Sequence, residues 1–104
     1  PLPSAGLRVG DRFAYCTDTE FDPETIRHVT GVATLLHEAW EPKDAERGHT
    51  SGEEAGTIAA EAGVSRLLIT HNHPVPGVAE HTAQAAQAHF DAALSAADGI
   101  ILDL

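Results

Sequence analysis

Hydrophobic and polar positions along this chain change period several times, and each change predicts an element. "RFAYCTDT" (12–19) alternates, with Phe13 and Tyr15 on one side and Ala14 and Cys16 on the other, which predicts a strand ending near Thr17. "FDPETIRHVTG" then supplies a helix start: Asp22 suits the N-cap, Pro23 the first helical position, Glu24 the positive end, and Gly31 the stop. A short helix over 23–30 would bury Ile26 and Val29. "VATLLHEA" (32–39) is a continuous apolar run before His37, the pattern of a strand covered on both faces. After the polar loop "WEPKDAERGHT", Ser51 and Glu54 have capping-box spacing. Ala55, Ile58, Ala59 and Ala62 form one helical stripe, and Gly63 ends it. "SRLLIT" (65–70) predicts a third strand, and "HNHPVPG" a turn stiffened by two prolines. Residues 79–97 predict the longest helix, with Ala83, Ala86, Phe90, Ala93 and Leu94 on its buried side; "GIILDL" (99–104) predicts a last strand.

Alternating strands and helices predict an α/β fold with helices packed on a largely parallel sheet. In such folds ligands sit beyond the carboxyl ends of the strands. Asp18, His37–Glu38 and His71 each follow a predicted strand, and His49 directly precedes a helix. Parallel strands would bring these groups to one rim.

Each has an ordinary reading as well. Asp18 serves either as a turn carboxylate or as a bridge between two cations. His71 is either a turn histidine or a zinc ligand. His71 and His73 make an H-x-H pair, but Val75 and Pro76 stand where H-x-H-x-D-H needs Asp and His, so that motif is absent. His49 is a loop residue or a general acid, and Glu38 a solvated residue or the carboxylate that orients His49 and stabilises its protonated form. His28, His81 and His89 read as structural or surface histidines, and Cys16 as a small buried residue.

Composition narrows the function classes. The 104 residues suffice for one domain, and 42% are hydrophobic. Sixteen acidic residues against six basic ones give a net charge of −10, with no Lys or Arg after Arg66. A duplex nucleic-acid binder needs a basic face, which this balance does not provide. The single cysteine excludes an internal disulfide and fits a reducing compartment. No stretch is long and apolar enough to span a membrane and no signal peptide is recognisable, so a cytoplasmic location is expected. The chain has no methionine and starts at Pro1, which fits a fragment or a processed product.

Taken together, "TDT … LLHEAW … GHTSGEEAGTIAAEAGVSRLLITH" resembles the second half of the metallo-β-lactamase superfamily, in its ribonuclease Z-like phosphodiesterase branch, over about residues 12–104. The resemblance implies one half of an αββα sandwich, with residues 1–104 as a single domain lacking the N-terminal metal-binding half. It implies that Asp18 bridges two metal ions (Zn2+ or Mn2+), that His71 ligates the second, that His49 protonates the leaving group and that Glu38 supports it. It departs from ribonuclease Z after His71, where "NHPVPG" replaces a Ser-Arg-Tyr-like turn, and in having Thr50-Ser51 where that enzyme has Ser-Thr. The expected substrate is a small phosphodiester or related ester. Two donors cannot hold two ions, since zinc takes about four; the chain alone is therefore expected to be inactive. An apolar sheet face is expected to be covered by the N-terminal half or by a second copy of the chain. A non-catalytic α/β module that binds a partner or dimerises is the alternative.

Overall fold

The computed structural model describes residues 5–17, 22–43, 49–70 and 75–96. Within them, β1 (Ala5–Val9), β2 (Phe13–Thr17), β3 (Thr34–Glu38), β4 (Arg66–Thr70) and β5 (Ala93–Ser95) form one sheet in the order β1-β2-β3-β4-β5. The β1–β2 pair is antiparallel; β2, β3, β4 and β5 run parallel. The crossovers are α1 (Pro23–Val29), α2 (Gly52–Ala62) and α3 (Val78–Gln87).

The local signals act as chemistry requires. Asp22 caps α1 by accepting from the Glu24 amide at 2.9 Å, with Pro23 at the first position. Ser51 and Glu54 form both arms of a capping box on α2: the Glu54 amide donates to Ser51 Oγ at 3.1 Å and the Ser51 amide to Glu54 Oε1 at 2.9 Å. Gly63 ends α2 at φ +70°, a left-handed conformation that favours glycine.

Alternation along the strands sorts the sheet into two faces. Ala14, Leu35, Leu67 and Ala93 line up across β2–β5, with Cys16 and Ile69 in the neighbouring row. These residues are buried in one core with Val29, Ala55, Ile58, Ala59, Ala62 and Ala86 of the helices. The opposite face carries the row Leu7, Tyr15, Leu36, Leu68 and Leu94, in register across all five strands. On it Leu7 is 59% and Leu94 57% exposed, and Val9 in the next row is 54% exposed. Leu68, in the middle of the row, is 2% exposed, so the face is open at its β1 and β5 edges and closed at its centre; among the described residues, no helix closes it.

Two features differ from the pattern-based expectation. Strand β1 precedes the first predicted element and pairs with β2 as a hairpin, closed by Gly10 at φ +53°. The helix expected over 79–97 ends at Gln87, and residues 93–95 form β5 instead. The sequence there has no glycine or proline stop, and its alanines favour helix. Pairing with the open edge of β4 overrides that local preference. Ala93 is buried as expected, but from a strand, whereas Leu94 points away from the core. The expected strand at 99–104 lies outside the described residues.

Candidate functional site

Strands β2, β3 and β4 end at a common rim: Cys16, His37 and Ile69 are in register, and the strands stop at Thr17, Glu38 and Thr70. The rim also holds the start of α2. The Trp40 amide donates to the Thr50 carbonyl at 3.0 Å and the Gly52 amide to the Glu41 carbonyl at 2.7 Å. Glu41 and Ser51 are bridged as parallel-strand neighbours. Residues 40–42 thus extend β3 as a short ladder that clamps 50–52 in place, and His49 is delivered to the end of β3.

Period-two alternation sends His37 and Glu38 to opposite faces. Glu38 belongs to the face of Leu36, and its side chain is fully buried. His49 Nδ1 stands 3.3 Å from each of the two Glu38 carboxylate oxygens, and the Thr50 amide donates to Oε1 at 3.3 Å. A buried carboxylate requires such partners, because burying it alone costs several kcal/mol. The His49 side chain is 24% exposed, so the pair joins a dry carboxylate to a wet imidazole. Trp40 stacks on the His49 ring, with centroids 4.9 Å apart and planes 16° apart. A carboxylate facing Nδ1 sets the ring's orientation and stabilises its charged form; Nε2 is then the nitrogen on the side of the ring away from Glu38.

His37 takes no part in this pair. Its ring lies on the helix side, fully buried, and Nδ1–H donates to the Glu38 carbonyl at 2.7 Å. Nε2 is therefore a buried acceptor and has no partner among the described residues. Burial lowers the His37 pKa, and the bond to the Glu38 carbonyl opposes that shift. Cys16, in register with His37, is also buried, and burial pushes its thiol pKa up to about 11. His28, His81 and His89 are exposed on α1, on α3 and just beyond α3; His89 Nε2 lies 3.8 Å from Glu53.

The two remaining candidates, Asp18 and His71, lie outside the described residues. Among the described residues, no three His, Cys, Asp or Glu side chains come together as a metal site. That part of the chain does not fit a metal by itself. Two participants were not legible as site residues: the Thr50 amide, since backbone donors leave no sequence signal, and Trp40, whose one clue was its place directly after "HEA".

With this geometry in place, comparison with known proteins gives a consistent answer. Residues 2–72 match the profile of the β-lactamase superfamily domain. Ribonuclease Z of Porphyromonas gingivalis is 35% identical over 99 residues, covering 89% of this chain and 32% of that protein. An uncharacterized protein of Mycobacterium tuberculosis is 40% identical over 98 residues, covering 88% and 36%. The crystal structure of the metallo-β-lactamase fold protein YhfI from Bacillus subtilis superposes with a TM-score of 0.75 at 26% identity, covering 88% of this chain and 39% of that one. The chain belongs to the metallo-β-lactamase superfamily, a hydrolase fold associated with metal ions, and within it is ribonuclease Z-like. It spans about a third of the length of the relatives it matches. No helix among the described residues is long and apolar enough to cross a membrane.

Proposed function

We propose that this chain is the C-terminal half of a metal-dependent hydrolase that cleaves phosphodiester or related ester bonds, and that His49 donates the proton to the leaving group. The observation that carries the reading is the fully buried Glu38 carboxylate, with both oxygens 3.3 Å from His49 Nδ1. Glu38 holds the imidazole by one nitrogen, and the other delivers the proton to the departing oxygen. A positioned acid of this kind accelerates such a step by about 10²–10⁴-fold.

Asp18 and His71 are the metal ligands this half would contribute toward two ions, zinc or manganese, with the other donors coming from an N-terminal half. That half, or a second copy, would cover the face bearing Leu7, Tyr15, Leu36, Leu68 and Leu94. The acidic charge favours a small phosphodiester or ester over a nucleic acid, in a cytoplasmic setting.

The test is hydrolysis of a phosphodiester whose alkoxide leaving group needs a proton, such as glycerophosphocholine, with zinc or manganese, by the chain alone and co-expressed with an N-terminal metal-binding half. The chain alone should be inactive. The assembled protein should turn over, and His49→Ala should lower kcat by about 10²-fold or more. Glu38→Gln, which keeps the shape and removes the charge, should lower kcat with little change in KM. Full activity in His49→Ala would refute the assignment.

A further inference from the structure

Trp40 is the only tryptophan in the chain. It leaves β3 two residues after Glu38, and the same backbone ladder that carries His49 to the rim holds it there: its own amide donates to the Thr50 carbonyl at 3.0 Å. Its ring lies almost parallel to the imidazole, at 16° and 4.9 Å between centroids. An imidazole side chain turns about two bonds. A carboxylate at Nδ1 fixes where that nitrogen points but leaves the ring plane free to tip, and a flat aromatic wall against the ring removes the second freedom.

Glu38 of β3 faces His49 directly. On α2, Glu54 is turned to the Ser51 amide, and Glu53 lies 3.7 Å from Lys43 and 3.8 Å from His89.

We propose that Trp40 is a positioning residue for His49: its indole face locks the imidazole in the plane that joins Nδ1 to Glu38. This role rests on the reading of His49 as the proton donor. It assigns Trp40 work that a similarly sized aliphatic side chain could not do.

By NMR, the His49 ring protons should be shifted upfield by the indole ring current. That shift should be lost in Trp40→Leu and largely kept in Trp40→Phe. In the assembled hydrolase acting on a phosphodiester with an alkoxide leaving group, such as glycerophosphocholine, Trp40→Leu should lower kcat about two- to fivefold with KM unchanged, and Trp40→Phe should restore most of it. If Trp40→Leu fails to fold by circular dichroism, Trp40→Phe decides: its weaker ring current should leave the His49 ring protons shifted upfield by less than in wild type, and an identical shift overturns the proposal.

His49 ring protons that do not move in Trp40→Leu overturn the proposal. So does an unchanged kcat in Trp40→Leu where His49→Ala is inactive, an outcome that leaves the reading of His49 standing. Full activity in His49→Ala overturns the reading of His49 and the role of Trp40 with it, whatever the spectra show.

Discussion

Replacing Gly56 by alanine sets two effects of opposite sign against each other. Gly56 lies in the middle of α2, where glycine is worse than alanine by about 1 kcal/mol, so propensity alone predicts stabilisation. The structure predicts the reverse. A Cβ added at Gly56 would stand 2.5 Å from the Ala86 carbonyl oxygen and 3.0 Å from Ala86 Cα on α3. Ordinary contact begins near 3.4 Å, so α2 and α3 would have to part by about 0.9 Å. Parting by that much forfeits a quarter to a half of the dispersion energy along the seam. Overpacking of this kind costs about 1–3 kcal/mol, and the obstacle is backbone, which a side-chain rotation cannot relieve. The net expectation is a loss of up to about 2 kcal/mol, lowering Tm by up to about 15 °C for a domain of this size. Thermal melting followed by circular dichroism at 222 nm measures it. Ala60→Gly, at an exposed position of the same helix, gives the size of the propensity term alone. A Gly56→Ala protein that melts higher than wild type would show that α2 and α3 do not pack this closely. The matter reaches the site, because α2 carries Ser51 and Thr50 at its start and its position along α3 fixes where His49 stands against Glu38.

Three further outcomes are expected. His37 is buried with its pKa lowered from 6.5, so below that pH the unfolded chain takes up a proton that the folded chain resists. Its contribution to stability is present above pH 6.5 and is lost as pH falls through the folded-state pKa; urea midpoints measured from pH 7 to pH 4 should fall less steeply in His37→Leu than in wild type. With its thiol pushed up to about 11 by burial, Cys16 should resist Ellman's reagent at pH 8 in the folded protein and react fully in urea, whereas rapid native labelling would contradict its placement. The chain alone should bind a hydrophobic dye and associate in a concentration-dependent way through the exposed leucines; a Leu7→Asn, Leu94→Asn double variant should do neither, and a monodisperse wild-type monomer without dye binding would refute the open face.

Elements whose signals are local were legible in the sequence. Asp22-Pro23 and the Ser51/Glu54 box work through atoms within one turn, so their spacing suffices. The stripe of Ala55, Ile58, Ala59 and Ala62 reads correctly because one helix face meets one core. The end of α3 was not legible, since residues 93–95 become a strand only by adding to β4, a partner more than twenty residues away. Nor was β1, whose Leu7 and Val9 are exposed and so lack the usual mark of burial. At the site, the likeness to a known family singled out Glu38 and His49 together. Spacing gave no sign that Trp40 would lie flat on His49, because that contact depends on how the loop between β3 and α2 returns.

The open face and the site are one question, because Glu38 shares its face with Leu36 and the apolar row. Whatever covers that row also stands beside His49. Five strands about 4.8 Å apart, with up to five residues rising about 3.3 Å each, present a face of roughly 400 Å² in projection. A specific interface between separate proteins buries about 800 Å² per partner, and association costs rigid-body freedom besides. A second copy seated on this face alone would therefore bind weakly. A covering half joined to the same chain would escape most of that cost, because a tether replaces bimolecular association with a high effective concentration. This chain spans about a third of the length of its relatives, which leaves ample length in them for such a cover. On area alone, a half joined to the chain would hold this face more tightly than a separate second copy.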